Sequence, residues 1–345
     1  MSYKIIKKLP TGAEIIQQIP LSKSGYDNIN RHRHEIRNIL SGHDSRLLII
    51  VGPCSAWPYE AVLEYADKLI ALNDKVKNKL KLVMRSYIQK PRTVKGWMGP
   101  ANQPDPLAAP DIERGMHYAR GLMVKLVEKN LAIADEALFT HNSQGFLELL
   151  SWVAIGARSS EDQEHRIFAS SVDCPVGIKN PTSGSIRVGV NGIIAAQGTH
   201  VAAFDGYEVE TSGNDFAHLV LRGGSGKPNY SKEHLEEVLH YLEISKVKNP
   251  AVITDVSHDN CLINGVKDYQ KQGDIILEVL SIIKENPDLA TIMKGFMLES
   301  FIKEGRQNVR ADGLLDMGGL SITDACLGWG KTEELLLQIA QIHSV

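Results

Sequence analysis

Positively charged side chains follow several apolar runs of the sequence, at the point where each run ends. Arg85 ends "LKLVMR", Arg158 ends "VAIGAR", Lys179 closes "PVGIK", and Arg222 follows "HLVL". A single arginine in such a position would more often face solvent. Four cations that converge on one place repel each other unless anions bind between them. If folding gathers these run ends, the sequence therefore predicts an anion-binding site.

The loop after Arg85 adds further positive charge. The stretch "SYIQKPRTVKGW" (86–97) contains Lys90 and Arg92, although the formal net charge of the chain is −3. A chain with this overall charge has no general field that attracts nucleic acid or anionic lipid. The local charge instead suits a small ligand set with two phosphates and a carboxylate. We expect no nucleic-acid partner and no membrane partner.

A second set of residues combines a thiol, an imidazole and two carboxylates. Its members are Cys54 in "VGPCSA", His258 in "DVSHDN", Glu299 in "MLESF" and Asp324 in "SITDAC". Such donors can form a mixed shell for a divalent transition metal. Their spacing gives no support, because no two of them share a helix. The alternatives are a core thiol, a hydrogen-bonded histidine, a salt-bridge partner and a helix N-cap.

Glu136, in "LAIADE", lies among the predicted cations and has two interpretations. It can tune the charge of the anion site or hold a water there. Alternatively, it forms a simple ion pair with Arg158 or Lys179.

These residues need a scaffold that gathers the ends of many strands. Short apolar runs recur along the chain with amphipathic helical patterns between them; the eight runs are 47–52, 80–85, 131–136, 153–158, 175–180, 199–204, 251–256 and 292–298. Runs without polar alternation indicate strands covered on both faces, as in a parallel sheet with helical crossovers. The pattern predicts an α/β fold, a (β/α)8 TIM barrel, whose active face lies at the carboxyl ends of the strands.

The sixth unit of the predicted barrel is irregular. A ninth run, "HLVLRG" (218–223), follows "THVAAF" (199–204) too closely for a helix to intervene. We interpret the intervening "DGYEVETSGND" (205–215) as a β-hairpin inserted in the sixth unit.

Residues 1–44 precede the first strand as an N-terminal extension, and residues 45–345 form the predicted catalytic barrel. His32 and His34 of the extension are expected on a solvated helix face. The N-terminus has no apolar segment of the signal-peptide type, and the four cysteines show no CxxC spacing. We therefore expect a cytoplasmic location.

Several long motifs resemble one enzyme family. They are "GPCS", "MRSYIQKPRT", "GARSSEDQEHR", "PVGIKN", "VLRGG", "SH" at 257–258, "ES" at 299–300 and "SITDACLGW". In this order they resemble the type I 3-deoxy-D-arabino-heptulosonate 7-phosphate (DAHP) synthases, from about residue 40 to the end. The resemblance implies a transferase that condenses phosphoenolpyruvate with erythrose 4-phosphate, the first step of the shikimate pathway to chorismate and the aromatic amino acids.

The resemblance also implies a role for each residue of the site. One divalent ion (Mn, Fe, Co or Zn) would be held by Cys54, His258, Glu299 and Asp324. The substrates would be held by Arg158 and Arg222 at the phosphoenolpyruvate phosphate, Arg85 and Lys179 at its carboxylate, Lys90 between the substrates, Arg92 and Thr93 at the sugar phosphate, and Glu136 nearby. The implied catalytic residues are Lys90, Cys54, His258 and Asp324. The family is commonly dimeric or tetrameric, so we expect a homodimer or homotetramer.

Some positions differ from the usual family pattern. Met98 and Leu320 stand where lysine is frequent, which makes a variant aldose phosphate an alternative substrate. The extension is shorter, the hairpin is trimmed, Asp173 replaces a small hydroxyl residue and Phe204 ends the sixth predicted strand. A carboxylate such as Asp173 would repel that of an amino-acid effector. We predict weak or absent feedback inhibition by phenylalanine or tyrosine.

Three other functions compete with the synthase. A sibling synthase would join phosphoenolpyruvate to another aldose phosphate. A metal-dependent aldolase, a lyase, would need no phosphoenolpyruvate and would have little use for the cations at the strand ends. A barrel without activity could serve as a binding partner, although the complete set of metal-binding residues argues against that.

Overall fold

A computed structural model describes residues 2–91, 96–137, 144–204, 206–309 and 313–343 of the chain. Its strands are β1 (Leu47–Gly52), β2 (Leu80–Arg85), β3 (Ile133–Ala137), β4 (Trp152–Ile155), β5 (Val176–Lys179), β6 (Val201–Phe204), β7 (Tyr207–Glu210), β8 (His218–Leu221), β9 (Val252–Asp255), β10 (Leu262–Ile263), β11 (Val266–Lys267) and β12 (Met293–Glu299).

Eight of these strands pair in parallel and close into a barrel in the order β1-β12-β9-β8-β5-β4-β3-β2. The predicted (β/α)8 barrel is therefore confirmed. The sixth barrel strand, however, is β8 in "HLVLRG" and not the predicted run 199–204. That run forms β6, which pairs only with β7 in an antiparallel hairpin. The physical reason is visible in the burial: β8 is fully buried, whereas β6 is half-exposed along its length.

The helices that pack around the barrel are α1 (Gly12–Gln18), α2 (Lys23–Leu40), α3 (Tyr59–Val76), α4 (Ile112–Glu128), α5 (Gln163–Ser171), α6 (Ile186–Gln197), α7 (Lys232–Ile244), α8 (Gln272–Glu285), α9 (Pro287–Ile292) and α10 (Trp329–Ile342). In the described part of the connection between β3 and β4, a 3-10 turn over Leu147–Leu149 is the helical element. None of the helices in the described ranges has the length and apolarity that a membrane span requires.

An apolar layer fills the middle of the barrel. Trp152 of β4 lies fully buried there, and the side chains of Ile50, Val83 and Met297 pack in the same cluster. A methyl group at Gly177 of β5 would lie 2.2 Å from the Trp152 ring, so the strand needs glycine at this point. The indole Nε1 donates a hydrogen bond to Nε2 of His218 at 3.1 Å. The centre of the barrel is thus solid.

Helix α2 of the N-terminal extension closes the amino end of the barrel. Its Ile36, Ile39 and Leu40 are buried and belong to the same apolar cluster as the barrel interior. Ser22 caps the helix by accepting a hydrogen bond from the backbone N–H of Gly25. The extension therefore packs on the barrel as its floor.

The prediction of solvated histidines on α2 is right for His34 and wrong for His32. His34 is exposed, but His32 is buried and its Nδ1 lies 2.6 Å from the ammonium nitrogen of Lys81 on β2. Lys81 also forms an ion pair with Glu35 at 2.9 Å. His32 lies on the same side of the helix as Ile29 and Ile36, which face the barrel. The burial of His32 therefore follows from its position in the helical repeat and not from its residue type.

Candidate active site

The carboxyl end of the barrel interior carries a layer of charged side chains. Five of them end a barrel strand or directly follow one, and Glu136 is the next-to-last residue of β3. Each points inward because side chains alternate along a strand. The layer consists of Arg85, Glu136, Lys179, Arg222, Asp255 and Glu299. All of these residues are buried, with exposed fractions between 0 and 8 %. Both signs of charge are present, so the layer can remain ionised while it is shielded from water.

A cavity of about 620 Å³ lies against this layer and is lined by four of its residues, Arg85, Glu136, Lys179 and Arg222. The cations that line the cavity are Arg85, Lys90, Arg158, Lys179, Arg222 and Lys267. Its acidic residues are Glu136, Asp259 and Asp324, with His258 beside them. Cations exceed carboxylates on this wall, and such a cavity favours ligands with several negative charges.

Arg85 is the most deeply placed cation of the cavity. Its Nη2 donates to Oε1 of Glu299 at 3.1 Å, and its guanidinium lies 3.9 Å from the ring centroid of Tyr87. The other terminal nitrogen, Nη1, is buried and has no hydrogen-bond partner among the described residues. A buried charged donor without a partner is costly. A ligand carboxylate or phosphate in the cavity would supply the missing acceptor.

Lys179 is held between two carboxylates. Its Nζ lies 3.2 Å from Oε2 of Glu136 and 3.4 Å from Oδ2 of Asp255. Burial opposes ionisation of Glu136, but Lys179 and Lys90 outweigh it and lower the pKa of Glu136. A methyl group at Gly156 would lie 2.4 Å from Glu136 Oε1, so this glycine leaves room for the pair.

Cys54, Glu299 and Asp324 form a group whose ligand atoms all lie within 4.8 Å of one another. We call it the ligand group. Burial raises the pKa of the Cys54 thiol, and the neighbouring Glu299 carboxylate acts in the same direction. A thiol with two carboxylates matches the mixed donor preference of a divalent transition metal, so these residues fit such an ion.

His258 lines the same cavity, but it is not one of the residues whose ligand atoms lie within 4.8 Å of one another. Its Nδ1 lies 3.0 Å from Oδ2 of Asp255 and 2.8 Å from the hydroxyl of Ser257. The backbone of His258 has a φ of +56°, which is uncommon outside glycine and indicates a constrained position. Asp255 therefore fixes the orientation of the imidazole.

Arg222 and Arg158 also line the cavity. Arg222 Nη2 donates to Oδ1 of Asp259 at 3.3 Å, and its backbone N–H donates to Oδ1 of Asn180 at 2.9 Å. Arg158 follows β4 in the turn after Ile155 and faces the cavity. The predicted phosphate residues Arg92 and Thr93 lie outside the described residues.

Sequence reasoning missed several residues of the cavity. Lys267 comes from the β10–β11 hairpin, Asp255 is the last residue of β9, and Asp259 and Tyr87 also contact the site cations. Asp255 could have been found from the sequence, because Ala251, Ile253 and Asp255 alternate toward the barrel interior. The "NG" dipeptide before Lys267 was a signal for the hairpin.

Comparison with known proteins decides the family. A sequence profile described as the DAHP synthetase I family matches residues 18–337, nearly the whole chain. The chain belongs to the DAHP synthetase I family. A relative from Enterobacter agglomerans, named phospho-2-dehydro-3-deoxyheptonate aldolase, Trp-sensitive, is 38 % identical over 98 % of this chain and 96 % of its own length. Membership of this DAHP synthase family makes the protein an enzyme, a transferase.

Other DAHP synthases agree with this assignment. The Phe-sensitive phospho-2-dehydro-3-deoxyheptonate aldolase of Escherichia coli (strain K12) is 39 % identical over 98 % of this chain and 95 % of its own length. A solved structure of phospho-2-dehydro-3-deoxyheptonate aldolase from Francisella tularensis SCHU S4 superposes with a TM-score of 0.91 at 34 % identity and covers 100 % of both chains. The barrel, its extension and its hairpin therefore share the architecture of a known DAHP synthase.

Proposed function

We propose that the enzyme condenses phosphoenolpyruvate with erythrose 4-phosphate in a reaction that depends on one divalent metal ion. One observation carries the proposal: the buried Arg85 Nη1, which lacks a described partner, faces a cation-rich cavity beside the ligand group. An aldolase without phosphoenolpyruvate would not need this donor or the other cations around it. The cavity of about 620 Å³ is large enough for two small phosphorylated ligands.

The cations are assigned to the two ends of phosphoenolpyruvate. Arg85 and Lys179 would hold its carboxylate, because both are buried and Arg85 keeps a donor without a described partner. Arg158 and Arg222, which line the same cavity, would hold its phosphate. Glu136 would keep Lys179 charged and oriented through their 3.2 Å contact. Arg92 and Thr93 are proposed for the phosphate of erythrose 4-phosphate.

The ligand group, with His258, is proposed to hold the metal ion. When bound there, a Mn, Fe, Co or Zn ion would supply Lewis-acid polarisation of the aldehyde oxygen. Lys90 contacts the ligand group, since its Nζ is 3.1 Å from Cys54 Sγ and 2.8 Å from the Cys54 carbonyl oxygen. We propose that it lies between the two substrates. We assign it the role of stabilising or protonating the oxygen that becomes an alkoxide when carbon 3 of phosphoenolpyruvate attacks the aldehyde.

The later steps need positioning more than further acid or base groups. Once the new carbon–carbon bond has formed, carbon 2 is an oxocarbenium centre. Water adds to it with loss of a proton, and the resulting phosphohemiketal expels inorganic phosphate and becomes the ketone. The cations of the cavity keep the two polyanions side by side during these steps. Arg158 and Arg222 would also stabilise the departing phosphate.

Erythrose 4-phosphate is favoured over another aldose phosphate. Neither Met98 nor Leu320, the two departures from the family pattern, is among the described residues that line the cavity. Their effect on the aldehyde would thus be indirect. A sibling synthase for another aldose phosphate remains the second candidate, and the same assay separates the two.

Oligomerisation and location are part of the proposal. The extension begins with an arm whose Ile5 and Ile6 are 78 and 92 % exposed, and exposed apolar side chains of this kind suit a subunit contact. We propose a homodimer or homotetramer in the cytoplasm that uses this arm. Light scattering of a variant lacking residues 2–9 would show a smaller oligomer than the full chain.

Feedback control is the point where this chain is proposed to differ from named relatives, whose names include Trp-sensitive and Phe-sensitive. Those names favour regulation. The exposed carboxylate of Asp173 and the trimmed hairpin β6–β7 favour weak inhibition by phenylalanine or tyrosine. A steady-state inhibition assay decides between them.

The central experiment measures phosphate release. The enzyme is stripped with a chelator, incubated with phosphoenolpyruvate and a panel of aldose phosphates, and supplied with one metal at a time. We expect activity only with metal and highest kcat/KM with erythrose 4-phosphate. C54A should lose the metal-dependent activity, whereas C174A, a buried cysteine far along the chain from the ligand group, should keep it. Full activity in the presence of chelator would overturn metal dependence.

A further inference from the structure

We propose that Lys267 competes with the divalent ion for Asp324, so that metal binding displaces Lys267 and loosens the hairpin that carries it. This inference rests on the metal dependence proposed above. It adds Lys267 as a positioning residue, one that acts on the site through Asp324.

Lys267 is carried by a small hairpin above the cavity. Strands β10 and β11 pair through Leu262 with Lys267 and Ile263 with Val266. Asn264 and Gly265 join them with φ angles of +50 and +79°, values that a type I′ turn requires. The backbone N–H of Asp268 then donates to the carbonyl of Cys261 at 2.8 Å. With two residues per strand, the hairpin has few contacts of its own to stabilise it.

Each member of the ligand group accepts a hydrogen bond from a different cationic side chain. Arg85 donates to Glu299, Lys90 to Cys54, and Lys267 Nζ lies 2.8 Å from Oδ2 of Asp324. The Arg85 side chain is only 1 % exposed and is fixed at the end of a barrel strand. The Lys267 side chain is 42 % exposed and stands on the short hairpin. Of these three cations, Lys267 is therefore the easiest to displace.

A divalent ion held by Asp324 would share one carboxylate with the Lys267 ammonium. Two cations on one carboxylate repel each other, and the repulsion is strongest at low ionic strength. The ammonium must then move toward solvent, which its exposure allows. Removing the lysine charge should consequently tighten metal binding, in contrast to the loss expected if Lys267 merely held Asp324 in place.

The test compares K267M with a matched control, K271M. Lys271 forms a similar pair with Asp274 at 2.9 Å, its side chain is 46 % exposed, and it lies outside the cavity lining. Co²⁺ affinity is measured by chelator competition, with the thiolate-to-metal absorption band as a signal from Cys54. We expect K267M to lower the Kd by about tenfold at low salt and by less at high salt. K271M should match the wild type.

Hydrogen exchange of the 262–267 segment provides a second measurement. Adding Co²⁺ to the wild type should accelerate exchange there, because the tether to Asp324 is lost. In K267M the segment should exchange rapidly with or without the ion. The inference would be overturned if Co²⁺ left exchange in the wild type unchanged. It would also be overturned if the Kd of K267M for Co²⁺ were equal to or higher than that of the wild type. Absence of the thiolate band in the wild type would instead contradict the proposed metal site itself.

Discussion

Strand β2 carries a buried cation at each end of the barrel, and the two cations differ in how their donors are used. Lys81 at the amino end contacts His32 at 2.6 Å and Glu35 at 2.9 Å. Arg85, about 13 Å further along the strand, has one nitrogen on Glu299 and another without a partner among the described residues. The described contacts of Lys81 at the amino end are with residues of the protein itself, whereas Arg85 at the carboxyl end keeps one donor for a ligand.

The surroundings of the two cations follow the same division. Helix α2 covers Lys81 with its apolar side chains, so the lysine joins the extension to the barrel. In the part of the chain that the structure describes, Arg85 has no such cover and instead lines the cavity. In this comparison, the buried cation that indicates a binding site is the one with a hydrogen-bond donor that no group of the described protein accepts from. Substitutions at the two ends should affect different properties.

The largest effect is expected at Arg85. R85M should lower kcat/KM for phosphoenolpyruvate by about 10²–10³-fold, because it removes a preorganised charged donor from the cavity. Steady-state kinetics with varied phosphoenolpyruvate measures this. R85K keeps the charge and one donor, so its loss should be smaller. Equal kcat/KM values for R85M and the wild type would remove Arg85 from the site.

The corresponding change at the amino end should alter stability and leave catalysis intact. K81M removes a buried donor from His32 and Glu35, and we expect the free energy of unfolding to fall by roughly 1–3 kcal/mol. Urea unfolding at pH 7.5 measures it. The kcat/KM of the folded variant should stay within about twofold of the wild type. A large loss of kcat/KM would show that the two ends are coupled.

A smaller effect is expected from the pH dependence of stability. Burial and the nearby Lys81 lower the pKa of His32 from 6.5 to about 4, with a minor contribution from Arg31 and an opposing one from Glu35. The unfolded chain binds a proton on His32 that the folded chain does not, so the stabilisation is complete above pH 6.5 and is lost as the pH falls toward 4.

Unfolding experiments at pH 7.5 and 4.5 on the wild type and H32N test this. The wild type should lose roughly 2–3 kcal/mol more than H32N over this interval. His218, whose pKa burial also lowers to about 4, is present in both proteins, and its contribution cancels. H34N, which changes the exposed histidine of the same helix, should behave like the wild type. Parallel pH curves for the wild type and H32N would refute the assignment.

The smallest effect concerns inhibition. Phenylalanine or tyrosine at micromolar concentration should change the rate by less than about twofold, because the Asp173 carboxylate is proposed to repel the carboxylate of the effector. Steady-state assays with each amino acid measure this. Strong inhibition by either would show that this chain is regulated like its named relatives.

Much of the barrel could be predicted from apolar runs, and the exception is instructive. Seven runs correspond to barrel strands, but the run 199–204 forms the exposed strand β6. Short apolar runs do not reveal whether one face or both will be covered. The chain between α6 and α7 contained two possible sixth strands. Only closure of the barrel, which depends on all strands together, selects β8.

The site was predictable where a polar residue ends an apolar run. Arg85, Lys179, Arg222 and Glu299 were found in this way, and the structure places them in one layer. Lys267 could not be found by the same rule because it lies in a hairpin inserted after β9 and does not end a barrel strand. Its position depends on turn geometry and on a contact between segments 57 residues apart.

The Trp152 layer has a practical consequence for anyone who wishes to modify the protein. This apolar layer, in which neutral His218 accepts a hydrogen bond from Trp152, separates the amino end of the barrel from the cavity at its carboxyl end. Fusions, surface attachment and stabilising substitutions can be placed around α2 at the amino end. Substitutions that alter substrate selectivity belong at the carboxyl end, and the two sets can be combined with little effect on each other.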